Sequence, residues 1–202
     1  MVRVSVSSVS LWVRDIALSE AQIAALVARN PALNGRLAGA TARSAQERTR
    51  RREYQEQGRA LARRGDVRHA VGCMLYWAEG SKSRNSVEFV NSDPEMVRYF
   101  VEFLRRQYEL PNQAFRIACN LFADHIERQR EIEQFWLDAM SLPQTCLRKS
   151  TVNVYSKYSQ KKRQNKLPYG TVRVVVHSTR VVQSIYGAIQ EYSGFERPEW
   201  LD

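Results

Sequence analysis

The sequence predicts an α+β fold in which helices pack on one face of a mixed sheet. Four segments alternate apolar and polar side chains as strands do, and the segments between them repeat apolar residues at helical spacing. One strand–helix pattern also occurs twice, as "VEFVNSDPEMVRYFVEFL" and "VRVVVHSTRVVQSIYGAI". Two units of this kind favour a sheet that is covered by helices on one side.

The composition limits the class of protein. A chain of 202 residues with 44% hydrophobic residues can bury one core together with a small module. Its cysteines, Cys73, Cys119 and Cys146, are far apart and odd in number, which predicts neither a disulfide framework nor a zinc cluster. The chain has no apolar run of about 20 residues and no signal-peptide pattern, so we expect a cytoplasmic protein without a membrane partner.

The charge indicates a polyanionic partner. Lys and Arg number 31 against 21 Asp and Glu, which gives a net charge of +10. The positive charge is concentrated in residues 36–68 and in residues 147–180, the second of which contains no acid, whereas residues 91–139 are mildly acidic. On charge alone, the alternative is a basic protein that is associated with ribosomes or is merely soluble.

The first predicted region, residues 1–40, is a helical segment. Ser5 is placed to cap a short helix, and Val9 and Trp12 share one face of it. The stretch resembles the recognition helix of small bacterial helix-turn-helix proteins; a serine-rich amphipathic helix without that role is the alternative. The resemblance implies DNA contacts from polar residues on the other faces of this helix: Ser7, Ser10 and Arg14.

A second helix is predicted over residues 19–29, and residues 41–64 are predicted to form a basic helical linker. The linker contains Arg, Ala, Gln and Glu but almost no large apolar residue, so we expect it to be solvated or to follow a phosphate backbone near Arg51 and Arg52. The main domain is predicted over residues 65–202, and its tail, with Trp200 and Leu201, is expected to dock on it.

The main domain opens with the stretch "AVGCMLYWAEGSKSR", residues 70–84, in which an apolar helix ends on an acid and a glycine. Ala78, Glu79 and Gly80 resemble the closing "ADG" of the LAGLIDADG helix of homing endonucleases, and a looser likeness extends from about residue 67 to residue 192. The resemblance implies that this helix pairs with the same helix of a second copy, so that the protein is a homodimer. The residues then expected at the dimer interface are Gly72, Cys73, Leu75 and Tyr76.

The resemblance also implies catalytic roles. Glu79 would hold Mg²⁺, which prefers oxygen ligands, and Lys82 would meet a phosphate beside it. Gly80 would allow the chain to turn at once into the sheet, which in this family reads double-stranded DNA. The other basic residues expected to contact DNA follow this turn or lie near and within the last strands: Arg84, Lys157, Lys161, Lys162, Arg163, Lys166 and Arg173.

Two functions follow from these patterns, and both involve double-stranded DNA. The first is a sequence-specific, Mg²⁺-dependent endonuclease that acts as a homodimer on a pseudo-palindromic site. The alternative is a transcriptional regulator that uses the same fold, with Glu79 in a structural role. A third hypothesis, an RNA-binding protein, is disfavoured because the sequence contains no RNP-like strand motif and no GXXG loop.

Overall fold

The computed structural model describes residues 5–29, 32–153 and 167–202, which form helices and a four-stranded sheet. The chain divides into two compact units, Met1–Glu47 and Arg48–Asp202. The helices are α1 (Val6–Trp12), α2 (Glu20–Arg29), α3 (Ala32–Ala62), α4 (Val67–Glu79), α5 (Pro94–Tyr108), α6 (Gln129–Ala139) and α7 (Thr179–Ser193). The strands are β1 (Val87–Asn91), β2 (Phe115–Phe122), β3 (Thr151–Asn153) and β4 (Thr171–Val176). The predicted α+β class is confirmed.

The first unit contains α1 and α2, and their apolar residues lie at the surface. The side-chain oxygen of Ser5 accepts a hydrogen bond from the backbone N–H of Ser8 (3.2 Å), so α1 begins with the predicted cap. Val9 and Trp12 are nevertheless 44% and 70% exposed, and no residue of α2 is buried. These two helices are therefore formed by local signals such as caps rather than by burial of an apolar face.

The sheet of the second unit has the strand order β1-β4-β2-β3. β4 pairs antiparallel with β1 and with β2, whereas β3 pairs parallel with β2. The two predicted strand–helix units, β1–α5 and β4–α7, are therefore neighbours in the sheet, with Val87 opposite Val176. A further bridge between Gly80 and Phe89 extends the sheet beyond β1 toward the end of α4.

The core of this unit lies between the sheet and helices α4, α5 and α7. α5 is capped by Asp93, whose carboxylate accepts hydrogen bonds from two backbone N–H groups of the first turn. Phe100 on its inner face stacks on Phe89 with 4.3 Å between ring centroids and also faces the ring of Tyr76. Because all three rings are fully buried, they connect α4, α5 and β1 in one cluster.

Residues 48–62 of α3 pack against α7, which the sequence interpretation did not anticipate. Gly58 lies so close to Ser184 that an added methyl group would overlap the Ser184 carbonyl, and Gly187 lies equally close to the Gln55 carbonyl. We call this contact the α3–α7 crossing. Residues 48–62 are therefore part of the main unit and not a solvated linker, and that unit begins before the predicted boundary at residue 65.

Glutamine side chains complete the α3–α7 crossing. The Gln55 amide donates to the Gln183 side-chain oxygen (2.8 Å), and the Gln190 amide donates to Gln55 (3.0 Å). The Gln183 amide also donates to the backbone oxygens of Arg84 and Trp200, both at 2.9 Å. All three glutamines are buried, and each of them has hydrogen-bond partners, as buried polar groups require.

The carboxyl-terminal tail docks on the main unit, as predicted. Trp200 stacks on Tyr186 with 4.4 Å between ring centroids, and Leu201 is only 8% exposed. The buried Arg51 guanidinium donates to the Leu201 carbonyl at 2.7 Å. Arg51 therefore binds the tail rather than a phosphate backbone.

Candidate functional site

One face of the sheet packs on the helices, and the opposite face, which we call the open face of the sheet, carries mostly polar side chains. Inward residues such as Phe89, Ile117 and Val174 alternate along the strands with residues of the open face. The polar residues of the open face come from all four strands and are half-buried or exposed: Glu88, Arg116, Asn120, Thr151, Asn153, Thr171 and Arg173. Such a surface offers cations, amides and hydroxyls together.

Two side-chain interactions order this face. The Arg173 guanidinium lies 3.2 Å from the Glu88 carboxylate across the β1–β4 pair. The Asn120 amide donates to the Thr171 hydroxyl at 3.2 Å across the β2–β4 pair. Arg173 was predicted as a DNA contact, and the structure places it near the middle of the open face. Glu88, Asn120 and Thr171 were not singled out, although their polar positions within alternating strands are the signal that could have identified them.

The segment between β3 and β4 carries five more of the predicted DNA contacts. Lys157, Lys161, Lys162, Arg163 and Lys166 lie outside the described residues. Among the described residues on either side of them, Asn153 pairs with Phe122 and Thr171 pairs with Asn120, both near the carboxyl end of β2.

Helix α4 buries one face in the core of its own unit, and that face contains most of the predicted dimer interface. Cys73 and Tyr76 are fully buried, and Gly72 packs directly against the ring of Phe103, where an added methyl group would not fit. The expectation that these three residues meet a partner helix is therefore wrong, because α5 and α7 already cover them. Leu75, the fourth predicted interface residue, is half-buried.

The opposite side of α4, which we call the outer face of α4, is apolar; Val67, Val71 and Ala78 are exposed there, whereas Met74 and Leu75 are half-buried against the core. Its residues recur at helical spacing: Val67, Val71, Met74, Leu75 and Ala78. Val67 is 73% exposed and Val71 is 42% exposed. A surface helix ordinarily carries polar residues on the side away from its core, so an apolar outer face is a feature that calls for a partner.

Glu79 ends α4 next to this outer face. The carboxylate is exposed and makes no hydrogen bond or ion pair with another described residue. Gly80 follows with a φ of −78°, so it is not required for a left-handed turn. A glycine is needed there because an added methyl group would overlap the ring of Tyr76.

Lys82 folds back onto the end of α4. Its ammonium donates to the carbonyl oxygens of Trp77 (2.8 Å) and Gly80 (2.9 Å), and burial lowers its pKa. A cation at this position satisfies carbonyls that the helix leaves without partners and interacts favourably with the helix dipole. Lys82 thus stabilises the helix end that presents Glu79. Arg84, two residues further on, has an exposed side chain.

Two tyrosines hold the loop after Glu79, a role that the sequence interpretation assigned to neither. The Tyr76 hydroxyl donates to the Ser81 carbonyl at 2.9 Å, and the Tyr186 hydroxyl donates to the Ser83 carbonyl at 2.9 Å. Burial raises the pKa of both hydroxyls, so they remain protonated donors. Spacing along the chain offered no signal for this arrangement, because Tyr186 belongs to α7, far from the loop in sequence.

His69 lies in the core and is not part of a metal-binding cluster among the described residues. His69 is buried, with Nδ1 2.7 Å from the Tyr192 hydroxyl and Nε2 3.7 Å from the Cys73 sulfur. Within the described ranges, no group of three or more His, Cys, Asp or Glu side chains is arranged to hold a metal ion. At the end of α4, one chain therefore contributes a single exposed carboxylate, that of Glu79.

The predicted contacts of the first unit lie on and just after α1. Ser7, Ser10 and Arg14 are exposed there. Asp15 follows Arg14 directly, and apolar residues such as Leu11 and Trp12 are exposed between the predicted contacts. Residues 5–15 contain one arginine and one aspartate and therefore carry no net charge.

Comparison with known proteins identifies no family for this chain. No family model, no curated protein and no solved structure matches the chain. Among the described helices, none is long and apolar enough to span a membrane.

Proposed function

We propose that the protein is a homodimeric, double-stranded DNA-binding protein that contacts DNA through the open face of its sheet. The observation that carries the proposal is the polar character of this face, which places Arg116 and Arg173 among amide and hydroxyl side chains on one side of the sheet. Arginines bind phosphates or guanine edges, and amides and hydroxyls read base edges. The net charge of +10 supplies the long-range attraction.

The outer face of α4 supports the homodimer. It is apolar over the length of the helix, and a second copy is its simplest partner because two uncharged faces can pack around a two-fold axis without burying a charge. Pairing of this kind would bring the two α4 helices side by side, with a Glu79 carboxylate at the end of each. The likeness of the end of α4 to the LAGLIDADG helix also implies a homodimer, although three of the four interface residues that it implies are buried in this chain's own core.

Metal-dependent DNA cleavage is the second candidate function, and the exposed Glu79 carboxylate favours it. A carboxylate without a hydrogen-bond partner among the described residues can accept Mg²⁺, and a second copy would add another. Bound Mg²⁺ would activate water and neutralise charge on the phosphate. In each chain Lys82 would hold the helix end on which Glu79 stands, and the Tyr76 and Tyr186 hydroxyls would hold the loop that follows.

The first experiment combines selection and cleavage. A random duplex library is incubated with the full chain, retained duplexes are separated by gel retardation and sequenced, and they are then incubated with and without Mg²⁺. The same steps are repeated with Glu79→Gln and with Glu95→Gln as a control at an exposed glutamate of α5. We expect retardation by all three proteins.

Cutting that requires both Mg²⁺ and Glu79, but not Glu95, establishes the endonuclease. Retardation of selected sites without cutting leaves a non-catalytic DNA-binding protein such as a transcriptional regulator. Absence of retardation at low salt by the wild-type chain contradicts the proposed function itself.

A further inference from the structure

Glu88 and Arg173 form an ion pair on the open face of the sheet. In the strand register Glu88 faces Val175 and Arg173 faces Val90, so the pair runs diagonally across two neighbouring strands. One guanidinium nitrogen lies 3.2 Å from a carboxylate oxygen, and both side chains remain partly accessible, at 29% for Glu88 and 48% for Arg173. The pair is therefore formed before any ligand arrives and is still open to one.

The Glu88 carboxylate is the charged group that Arg173 meets on the neighbouring strand. Its direct cross-strand neighbours are Val90 on β1 and Ala118 on β2, and neither carries a charge. The Arg116 guanidinium donates to the carbonyl of Phe115 at 2.8 Å. Glu88 thus sets the direction and the local charge of the Arg173 guanidinium.

We propose, as a deepening of the DNA-binding function above, that Arg173 reads a guanine and that Glu88 is its positioning residue. A guanidinium has five N–H donors in a planar fork, so a carboxylate on one nitrogen leaves enough donors for O6 and N7 of guanine. The carboxylate cancels the charge of Arg173 and repels phosphate, which makes this arginine a poor phosphate contact. The pair contributes sequence preference and little of the salt-dependent affinity.

The two possible partners of Arg173 differ in measurable ways. A phosphate contact adds about 0.9 to the slope of log affinity against log salt and carries no sequence preference. A guanine contact adds a preference of roughly tenfold or more at one position and leaves that slope nearly unchanged. Salt slopes and selected sequences, measured together, therefore distinguish them.

The experiment compares the wild-type chain with Arg173→Gln, Arg173→Lys and Glu88→Gln. Each protein is used to select duplexes from a random library, and its affinity for the selected and for an unrelated duplex is measured over a series of salt concentrations. The exposed pair Arg98 and Glu95 on α5 provides matched controls, Arg98→Gln and Glu95→Gln. Urea unfolding of each variant verifies that it is folded. If Arg173→Gln does not fold, Arg173→Lys, which keeps the positive charge, replaces it in the comparison.

We expect Arg173→Gln to lose a guanine preference at one position of each half-site with an unchanged salt slope, and Arg173→Lys, which lacks the planar fork of donors, to weaken that preference. Glu88→Gln should bind unrelated DNA more tightly, with a slope steeper by about 0.9 per chain, because it frees the charge of Arg173. If Arg173→Gln has a lower salt slope and selects the same sequence as wild type, Arg173 contacts a phosphate and the inference is overturned. If Glu88→Gln has the salt slope and the selected sequence of wild type, Glu88 does not position Arg173 and the inference is overturned as well.

Two different results with the wild-type chain separate the role of Arg173 from DNA binding itself. Wild-type protein that binds DNA without sequence preference overturns the role of Arg173 while DNA binding stands. Wild-type protein that binds no DNA at low salt overturns both.

Discussion

The α3–α7 crossing buries polar residues, whereas the outer face of α4 exposes apolar ones. At the crossing, glycine and glutamine residues are buried and the backbones of two helices nearly touch. On α4, valines that resemble core residues are exposed. The first contact is polar and complete within one chain, whereas the second surface is apolar and leaves Val67 and Val71 exposed.

The difference shows what each surface can do. Every buried glutamine of the crossing has a hydrogen-bond partner, so this contact specifies one register of α3 on α7 and has no capacity left for another molecule. The outer face of α4 gains free energy only when a second surface removes it from water. Three predictions test this division and a fourth tests the buried face of α4; they follow in order of decreasing effect on the free energy of unfolding.

Gly187→Ala should have the largest effect. The new methyl group would overlap the Gln55 carbonyl, and a backbone atom cannot move without shifting the helix, so we expect a loss of about 3 kcal/mol in the free energy of unfolding. Urea denaturation followed by circular dichroism measures it. Gly35→Ala is the control, because an added methyl group there meets nothing within 4 Å. Equal stability of Gly187→Ala and wild type would show that the helices are not in close contact.

Gln183→Ala should have the next largest effect. The substitution removes the partner of the Gln55 amide and leaves the carbonyls of Arg84 and Trp200 without their donor, which we expect to cost about 2 kcal/mol. The same unfolding experiment measures it. Gln134→Ala, at an exposed glutamine of α6, should stay within about 0.5 kcal/mol of wild type. A neutral result at residue 183 would contradict a buried glutamine network.

His69 makes the buried face of α4 sensitive to pH. Burial lowers the pKa of His69, and this effect is larger than the opposing effect of the nearby Asp66 carboxylate. The ring contacts the uncharged side chains of Tyr192 and Cys73. The unfolded chain therefore binds a proton more readily, so stability is complete above about pH 6.5 and falls as the pH drops below it. The slope contributed by this residue cannot exceed about 1.4 kcal/mol per pH unit.

The measurement is the urea midpoint of wild type and His69→Gln between about pH 7.5 and about pH 5.5, a range that spans the pKa of a histidine in an unfolded chain. The wild-type midpoint should fall relative to that of the variant as the pH decreases. Parallel curves would contradict a buried neutral His69.

Val71→Arg should have the smallest effect on unfolding and the largest on self-association. Val71 is 42% exposed, so a charged residue there should change the unfolding free energy of a monomer by no more than about 0.5 kcal/mol. Two arginines facing each other would disrupt a dimer that uses this face. Light scattering after size exclusion measures the mass, and Ile126→Arg, at a 53% exposed isoleucine, is the matched control. A dimer that persists in Val71→Arg would place the dimer contact elsewhere.

Local signals predicted much of the fold. Ser5, Asp93 and Ser178 each have a side-chain oxygen within reach of a backbone N–H of the following turn, and each begins a helix in the structure. The alternation of polar and apolar residues likewise placed β1, β2 and β4, and the α+β class followed. These features depend on neighbouring residues in the chain, which is why the sequence alone determines them.

The candidate site was predicted less completely, for the same physical reason. Glu79 at an exposed helix end and Arg173 on a strand follow from local pattern. Only the tertiary structure decided that Gly72 and Tyr76 face the core rather than a partner, because α4 is apolar on both sides and periodicity cannot tell which side is covered. The pairing of Glu88 with Arg173, and the hold of Tyr186 on the loop after Glu79, depend on residues far apart in sequence. Local patterns determine helices and strands, whereas contacts between distant residues determine which surfaces are closed and which remain open.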